Sequence, residues 1–371
     1  MPYRFAHHTG PDWRTICDQV LADVATETPE GDLAFVYIDH NLTGDADRII
    51  DYLRGHTGYR HWVGSVGMGL CSTGLETYDE NAVAVMLTDI MDNEMRIIPP
   101  IGDQVDEFLE STADWRARTL ASIGVVHGDP GNNRVPGLLE ELAEGLQGGF
   151  LTGGITSSSS LQVQIADHAV GGGLSGVLFS GDTCVRVGIS QGCVPFGHRH
   201  KVTECQNNVI FTLDDRPALD VFKEAIGPEL ARDLQQVGGL IFVALPVPGS
   251  DTGDYMVRNL VGIDPEKGLL AIGQVVSEGQ EIQFTRRDPA SARIDLAHAL
   301  DTLRERLPNE PKGMLYHSCL GRGRNLFGDD SEELQIIAGH LGKVPLVGFY
   351  ANGEISHNRL YGYTGVLTVF C

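Results

Sequence analysis

Short apolar runs, each bounded by glycine, proline or polar residues, recur along most of the chain. Runs of about four to eight residues rich in β-branched and aromatic side chains are typical of strands. The clearest is Leu33–Asp39, which is apolar at successive positions and therefore predicts a strand buried on both faces. The other predicted strands are 61–65, 82–87, 120–126, 161–166, 177–180, 184–190, 208–213, 240–245, 256–263, 269–273, 281–285, 312–318, 346–350 and 366–370.

Apolar residues at helical spacing lie between these runs. Pro136 falls in the first turn of one such segment, where a proline fits a helix best. The rest of residues 1–30 is polar and irregular and predicts an extension ahead of the main body. The predicted helices are 13–25, 45–54, 105–118, 135–146, 216–226, 228–237, 289–307 and 331–341.

The order of these elements favours an α+β fold. Strands come in groups between helices, so the sheets should be mostly antiparallel or mixed and covered by helices, as in a multilayered sandwich. We predict two α/β modules, at 31–215 and 216–371, behind an extension at 1–30. Both halves contain the same mixture, which is compatible with a duplication, and no short repeat of solenoid type is visible.

Acidic side chains greatly outnumber basic ones, with 50 Asp and Glu against 27 Lys and Arg and a formal net charge of −23. Nucleic acids and anionic membranes are bound through Lys and Arg, so this balance disfavours both partners. An acidic surface with few lysines fits a salty cytoplasm, where charge repulsion is screened, and equally a GC-rich genome.

The sequence predicts a cytoplasmic protein without membrane insertion. No apolar run reaches the roughly 18 residues that a membrane-spanning helix needs, and the N-terminus lacks the apolar core of a signal peptide. The seven cysteines are scattered, with no C-x-x-C motif. Because disulfides are rare in a reducing cytosol, we expect most of them to be buried thiols.

One G-x-S-x-G match, at residues 188–192, follows a predicted strand, where a nucleophile elbow would place Ser190. The next residues predict a turn instead of the helix that such an elbow requires. A hydrolase using Ser190 or a cysteine is therefore an alternative, and a strand end explains the motif better. The pair Glu332 and Glu333 lies on a predicted helix and is interpreted as a solvated face, not as an acid–base pair.

A possible metal-binding pattern, C-x4-H-x-H-x4-C, follows directly. Two histidines two residues apart share one face of a strand and could share an ion with a thiolate. A proline and a glycine within the pattern predict a turn, and the spacing matches no common zinc module, so a solvated basic patch is the alternative. The four candidate ligands are Cys193, His198, His200 and Cys205.

A haem ligand is a separate hypothesis. His317 lies near the end of an apolar predicted strand, and one axial ligand in an apolar pocket is enough to hold a haem. A hydrogen-bonded histidine in the core is the alternative.

Three segments resemble the FIST family of sensory proteins. Residues 191–197, Gln-Gly-Cys-Val-Pro-Phe-Gly, are similar to its G-C-x-P-x-G junction turn, with Pro217-Ala218 opening the next helix. Residues 318–323, Ser-Cys-Leu-Gly-Arg-Gly, resemble the C-x-G-R-G signature of the C-terminal module. Residues 348–355 resemble its G-F-x-x-x-G-E-I ending. Upstream, residues 61–65 resemble the V-G-C/S-T turn of the N-terminal module, with Val66 in place of the usual threonine. The resemblance covers about residues 30–370.

The resemblance implies a non-catalytic sensory protein that binds a small ligand. FIST modules occur in bacterial signalling proteins beside kinase, cyclase or chemotaxis domains, and one subgroup is described as haem-binding nitric-oxide sensors. The 371 residues leave no room for an output domain, so the resemblance implies a partner protein such as a kinase or cyclase.

The motif residues suggest a ligand site. Glycines let the backbone approach a ligand closely, and Arg322 could hold a carboxylate with two parallel hydrogen bonds. Glu354 could pair with Arg322 or with a ligand amine; alternatively, these two residues only bridge two loops. We expect the three glycine-bounded loops to shape one recess between the halves. The predicted ligand-binding residues are Gly192, Cys193, Pro195, Ser318, Cys319, Gly321, Arg322, Gly323, Gly348, Gly353 and Glu354.

Overall fold

The computed structural model describes residues 3–121, 123–247 and 255–371. Within these residues, eight α-helices accompany strands that form mixed and antiparallel sheets, so the predicted α+β class is confirmed. The helices are α1 (Trp13–Val24), α2 (Ala46–Thr57), α3 (Asp106–Ser111), α4 (Ala113–Thr119), α5 (Val135–Gly145), α6 (Ala218–Ala231), α7 (Pro289–Glu305) and α8 (Glu332–Leu341). The strands are β1 (Arg4–Thr9), β2 (Leu33–Asp39), β3 (His61–Gly67), β4 (Gly69–Ser72), β5 (Leu75–Tyr78), β6 (Ala82–Leu87), β7 (Met95–Ile101), β8 (Ile123–Gly128), β9 (Phe150–Ile155), β10 (Gln164–Ala166), β11 (His168–Val170), β12 (Leu174–Phe179), β13 (Val185–Gln191), β14 (Cys193–Gln206), β15 (Val209–Leu213), β16 (Arg216–Pro217), β17 (Ile241–Pro246), β18 (Tyr255–Asp264), β19 (Leu269–Ile272), β20 (Glu281–Arg287), β21 (Gly313–Cys319), β22 (Leu346–Ala351), β23 (Glu354–His357), β24 (Arg359–Tyr361) and β25 (Thr364–Phe370).

The chain folds into two compact units. The large unit consists of Met1–Ser190 and Arg293–Cys371, and the barrel unit of Gln191–Ala292. The chain therefore leaves the large unit and later returns to it. The predicted extension at 1–30 and the predicted modules at 31–215 and 216–371 divide the chain differently, and that division stays a prediction.

Three six-stranded sheets build the large unit, with the orders β1-β6-β2-β3-β10-β11, β7-β12-β8-β9-β23-β24 and β13-β25-β21-β22-β4-β5. One apolar core receives residues from all three sheets, among them Phe35, Val125 and Phe349. The outer face of the first sheet packs on α1 and α2, and that of the second on α3, α4 and α5. Burial on both faces is why β2 is apolar at every position before Asp39.

The sheet orders reveal three copies of one supersecondary unit, at residues 4–87, 95–179, and 185–190 with 293–370. In each copy, two central strands run parallel (β2 and β3, β8 and β9, β21 and β22), and a later strand returns antiparallel beside the first of them. A helix crosses between the parallel strands, as parallel pairing requires. The hairpin of each copy pairs with the sheet of another copy, which links the three sheets.

Glycine recurs at one position of this unit. Gly64, Gly153 and Gly348 occupy the same register position on the second parallel strand. A Cβ atom at any of them would lie 1.6, 1.8 or 1.8 Å from a carbonyl oxygen of the neighbouring strand. The strand pairing therefore requires glycine at these positions.

The barrel unit is an antiparallel barrel. Its strands follow the order β14-β20-β17-β18-β19-β15, and β14 also pairs with β15, which closes the ring. Its core contains Phe222 of α6 together with inward-facing residues such as Val243 and Phe284.

The structure differs from the predictions in several places. Strands such as β7 and β9 form where the sequence predicts none, and the predicted helix at 105–118 is divided into α3 and α4. Residues 4–9 form β1, which pairs with β6, although this stretch was predicted to be irregular. Residues 193–206 form β14 instead of a turn, because a register shift between Pro195 and Arg199 accommodates both proline and glycine. Cys184 and Cys371 form a disulfide, and the other five cysteines are free. Among the described helices, none is long and apolar enough to cross a bilayer.

Candidate functional site

Three equivalent side chains meet inside the large unit: Tyr37, His127 and His317. Each is the fifth residue of the first parallel strand in its copy. Their ring centroids are 5.7, 5.8 and 5.6 Å apart, so they form a nearly equilateral triangle. The Tyr37 hydroxyl lies 3.0 Å from Nε2 of His317 and 3.4 Å from Nε2 of His127. Burial lowers the pKa of both histidines, that of His317 to about 3, so both are neutral at physiological pH.

The surroundings of His317 bear on the haem hypothesis. The ring is fully buried, its Nε2 is engaged by Tyr37, and the rings of His127 and Phe349 each lie 5.6 Å away. A haem at this position would have to displace these rings. The packing therefore favours a core histidine, and haem binding stays a prediction.

The turn after β21 carries a buried ion pair. The Nε of Arg322 donates to Oε1 of Glu333 across 2.7 Å, and both side chains have 0% exposure. Oε1 also accepts from the Tyr316 hydroxyl at 2.6 Å, and Oε2 accepts from the Gly323 N–H at 2.9 Å. The Ser318 hydroxyl lies 3.3 Å from both oxygens.

This ion pair corrects two expectations. Glu333 is not part of a solvated face, because it points inward from the first turn of α8. Arg322 pairs with Glu333, not with Glu354. The Arg322 charge is therefore already neutralised inside the protein, which argues against its holding a ligand carboxylate.

Ser190 extends the same network. Nη2 of Arg322 donates to the Ser190 hydroxyl oxygen at 3.2 Å, and Nη1 donates to the Ser190 carbonyl oxygen at 3.3 Å. A permanently charged arginine cannot take a proton from serine. The neighbour of Ser190 is therefore not the base that a nucleophilic serine needs.

A narrow apolar crevice adjoins this network, with free space of about 10 Å³, which is roughly the room needed by one water molecule. Leu296, Ala299, Leu300 and Leu303 of α7 form one side, and the opposite side includes Ser190 and Tyr316. We call it the α7 crevice. The two polar side chains at its base, Ser190 and Tyr316, both belong to the Arg322–Glu333 network, so the crevice combines apolar walls with fixed polar groups.

Glu354 is the other buried carboxyl group of the predicted site. Its Oε2 accepts from the N–H and hydroxyl of Thr364 at 3.1 and 2.8 Å, and within the described residues its Oε1 has no hydrogen-bond partner. Burial raises its pKa from the usual 4.5 to about 8. Glu354 is therefore mostly protonated near neutral pH.

A comparison with the second supersecondary copy explains why Oε1 of Glu354 lacks a partner. Gln164 occupies the position of Glu354, and both atoms of its amide are bonded: the nitrogen donates to the Gly173 carbonyl and the oxygen accepts from the Ser175 hydroxyl. Val366 stands where Ser175 would be in the third copy. Oε1 of Glu354 consequently lacks the donor that serves its counterpart.

Cys319 also has equivalents. Asp39 and Asp129, at the same strand ends, each accept an N–H from two residues further on, at 2.9 and 2.7 Å. The sulfur of Cys319 likewise accepts from the N–H of Gly321 at 3.4 Å. Burial raises the pKa of its thiol, so a turn-forming role suits Cys319 better than nucleophilic chemistry.

The remaining predicted site residues are spread over both units. In the large unit, Gly323 has φ +50 and Gly353 has φ +151, and these backbone conformations together with the packing at Gly348 account for the glycines without a ligand. In the barrel unit, the predicted site residues are Cys193 and Pro195 on β14, with Gly192 just before it. Cys193 is buried and Pro195 is partly exposed. The three loops expected to shape one recess therefore belong to two different units, and the recess stays a prediction.

The four candidate metal ligands all lie on β14. His200 bonds Asp214 through Nδ1 at 2.7 Å, and the thiol of Cys205 donates to the Val276 carbonyl at 3.4 Å. Cys193 is buried and His198 is exposed. The described part of the chain contains no group of three or more His, Cys, Asp or Glu side chains placed to hold a metal.

Comparison with known proteins defines the class. The FIST N domain matches residues 32–216 and the FIST C domain matches residues 218–357, so the chain belongs to the FIST family. FIST domains are generally sensory domains of signalling proteins. The chain is 31% identical over 384 residues to the uncharacterized protein Rv0628c of Mycobacterium tuberculosis, covering 98% of this chain and 97% of the relative. It is also 34% identical over 247 residues to the uncharacterized protein Mb0898c of Mycobacterium bovis, covering 63% of each.

The residues that sequence reasoning missed are Glu333, Tyr316 and the apolar face of α7. Glu333 carried a signal: within the segment 332–341, buried residues recur at helical spacing at 333, 334, 337 and 341. That periodicity places Glu333 on the inner face, whereas the identity of the residue alone suggests the surface.

Proposed function

We propose that the protein is a cytoplasmic sensor that binds a small molecule in the α7 crevice and signals through a partner protein such as a kinase or cyclase. The observation that carries the proposal is the crevice itself. Its apolar walls meet Ser190 and Tyr316, which the buried Arg322–Glu333 pair holds in fixed positions. The crevice has room for about one water molecule, so a ligand would have to widen it by moving α7, and the polar groups that it would then meet are already held in place.

The position of the crevice suggests how binding is reported. The chain leaves the large unit at the end of β13 and returns through α7, and both elements line the crevice. A ligand seated there would contact both segments that connect to the barrel unit. A partner protein could then recognise a ligand-induced change in either segment.

A thermal-shift screen tests the proposal. A ligand that binds only the native state raises the melting temperature, by a few degrees when its concentration is about 100 times Kd. The Ala299→Trp variant fills the crevice and should abolish the shift. The matched control is Ile294→Trp on the exposed face of the same helix, because Ile294 is 72% exposed.

Comparison of wild type with the two variants distinguishes three outcomes. A ligand whose shift disappears in Ala299→Trp and persists in Ile294→Trp supports the crevice as the receptor site. A ligand that stabilises wild type and both variants equally would place binding elsewhere and reject this site. A broad metabolite screen without any shift would reject ligand sensing by this protein.

A further inference from the structure

We infer that the Cys184–Cys371 disulfide is a site of reversible thiol–disulfide exchange, open to small dithiols, and that its reduction loosens the first half of β13. The bond lies in the third sheet, where β13 begins and β25 ends. The inference does not depend on a ligand in the α7 crevice. It follows from three observations: the exposure of the two cysteines, their fixed separation and the light attachment of β13.

The two cysteines can be reached from solvent. Cys184 and Cys371 are each partly exposed, and the turn before Cys184 is exposed at Asp182. Three of the free cysteines are instead buried, namely Cys17, Cys71 and Cys193. A partly exposed disulfide is open to attack by a thiolate and is more easily reduced than a buried structural one.

The backbone holds the two cysteines together whether or not the bond between them is intact. Their Cα atoms are 5.3 Å apart, within the usual range for a disulfide. The N–H of Cys371 also donates to the Cys184 carbonyl at 3.1 Å. The two thiols therefore stay adjacent after reduction, and oxidation can restore the bond without rearranging the chain.

Reduction proceeds through a mixed disulfide. One thiolate of a dithiol attacks a cysteine sulfur, which breaks the protein S–S bond and releases the other cysteine as a thiolate. The second thiolate of the dithiol then attacks the reductant sulfur of the mixed disulfide, closes a disulfide within the reductant and releases the remaining cysteine. Two electrons and two protons pass from the dithiol to the protein. In a reducing cytoplasm, the state of the pair would follow the balance of thiols and disulfides.

The disulfide fixes the beginning of a lightly held strand. β13 lies at the edge of the third sheet beside β25, and of its first five residues only Val185 is buried. At the other end of the strand, Arg322 holds Ser190 through two hydrogen bonds. Reduction therefore leaves β13 clamped at one end, and an edge strand with few buried side chains opens locally at low cost. The same strand leads into the barrel unit.

The disulfide also closes a long covalent loop. It joins residues 187 positions apart, and the loop contains the whole third copy together with the barrel unit. A cross-link that closes a long loop removes conformational entropy from the unfolded chain. Reduction should therefore lower the melting temperature by at least about 5 °C.

Differential alkylation tests the exchange. The full chain is equilibrated at pH 7.5, without denaturant, with dithiothreitol or with oxidised dithiothreitol, and is then alkylated and digested for mass spectrometry. Cys184 and Cys371 should be alkylated after the first treatment and linked after the second, and moving reduced protein into the oxidant should restore the link. A bond that dithiothreitol breaks only in denatured protein, or a pair that stays free in the oxidant, would overturn the inference.

Hydrogen exchange of the same samples tests the effect on β13. Its amides should exchange about tenfold faster or more in the reduced protein, whereas those of β22, which is buried at every position, should not change. The double variant Cys184→Ser with Cys371→Ser should match reduced wild type in both buffers. The matched control is Cys205→Ser, at a partly exposed free cysteine of β14, which should respond as wild type does.

Equal exchange of β13 in oxidised and reduced wild type would reject the loosening of the strand, even where alkylation shows that the bond opens. If the double variant does not fold, the two states of wild type still decide the inference.

Discussion

Replacing Glu354 with glutamine should stabilise the protein above neutral pH and change its stability little at pH 4.5. The carboxyl group is fully buried, Oε1 lacks a partner within the described residues, and burial raises the pKa to about 8. Gln164 holds the equivalent position in the second copy, and both its amide nitrogen and its amide oxygen have a hydrogen-bond partner. A neutral amide at position 354 therefore follows a pattern that this fold already uses.

The magnitude follows from proton linkage. The folded-state pKa of Glu354 lies above its usual value of 4.5. The contribution that the bound proton makes to the free energy of unfolding is therefore fully present below pH 4.5 and is lost as pH rises to about 8. Each unit of pKa difference corresponds to about 1.4 kcal/mol, so wild type loses up to about 5 kcal/mol across this window. Glu354→Gln avoids this loss because glutamine does not titrate.

Chemical denaturation of both proteins between pH 4.5 and 9 provides the assay. The free energy of unfolding of Glu354→Gln minus that of wild type should rise with pH and level off above about pH 8, and other titrating groups cancel in the difference. Glu140→Gln, at an exposed position of α5, is the matched control and should show no such rise. A difference that does not depend on pH would refute the assignment of Glu354 as a buried, protonated acid.

Three further predictions concern the core of the large unit. Arg322→Met should destabilise the protein by about 3–5 kcal/mol, because it leaves Glu333 buried and unpaired; Arg322→Met with Glu333→Gln should recover much of the loss in a denaturant titration, and no recovery would contradict the pairing. Gly348→Ala should prevent stable folding, measured by circular dichroism, because its Cβ would lie 1.8 Å from a carbonyl oxygen, whereas Gly339→Ala, at an open position of α8, should be neutral or stabilising by about 0.5–1 kcal/mol. His317 has a folded-state pKa of about 3, below its usual 6.5, so its contribution is lost as pH falls from 6.5 towards 3. His317→Phe should therefore reduce the acid sensitivity of unfolding by up to about 1.4 kcal/mol per pH unit in that window, and an unchanged slope would contradict a neutral buried histidine.

Strong local patterns made much of the fold predictable. The apolar run at 33–39 and the helical spacing at 289–307 appear in the structure as β2 and α7, the latter ending at Glu305. Local patterns failed where pairing overrides them. Pro195 and Gly197 suggest a turn, but a register shift between β14 and β20 absorbs them within a strand.

The threefold repetition could not be read from one sequence. Equivalent positions can be occupied by different residues, as with Tyr37, His127 and His317, and one recurring glycine is too weak a signal to reveal a repeat. The candidate site was predictable in part. Arg322 and Ser318 belong to the buried network, but the partner of Arg322 lies on α8 and looks like a surface residue from its charge alone.

The insertion of the barrel unit falls between the first strand and the first helix of the third copy, while the other two copies pass directly from strand to helix. The polar network and the crevice also belong to that interrupted copy. The strand-to-helix connection is only a few residues long in the first two copies, from Thr9 to Trp13 and from Ile101 to Asp106, and the third copy places about a hundred residues there. A substitution that alters the end of β13 or the start of α7 therefore acts on a chain segment joined directly to the inserted unit.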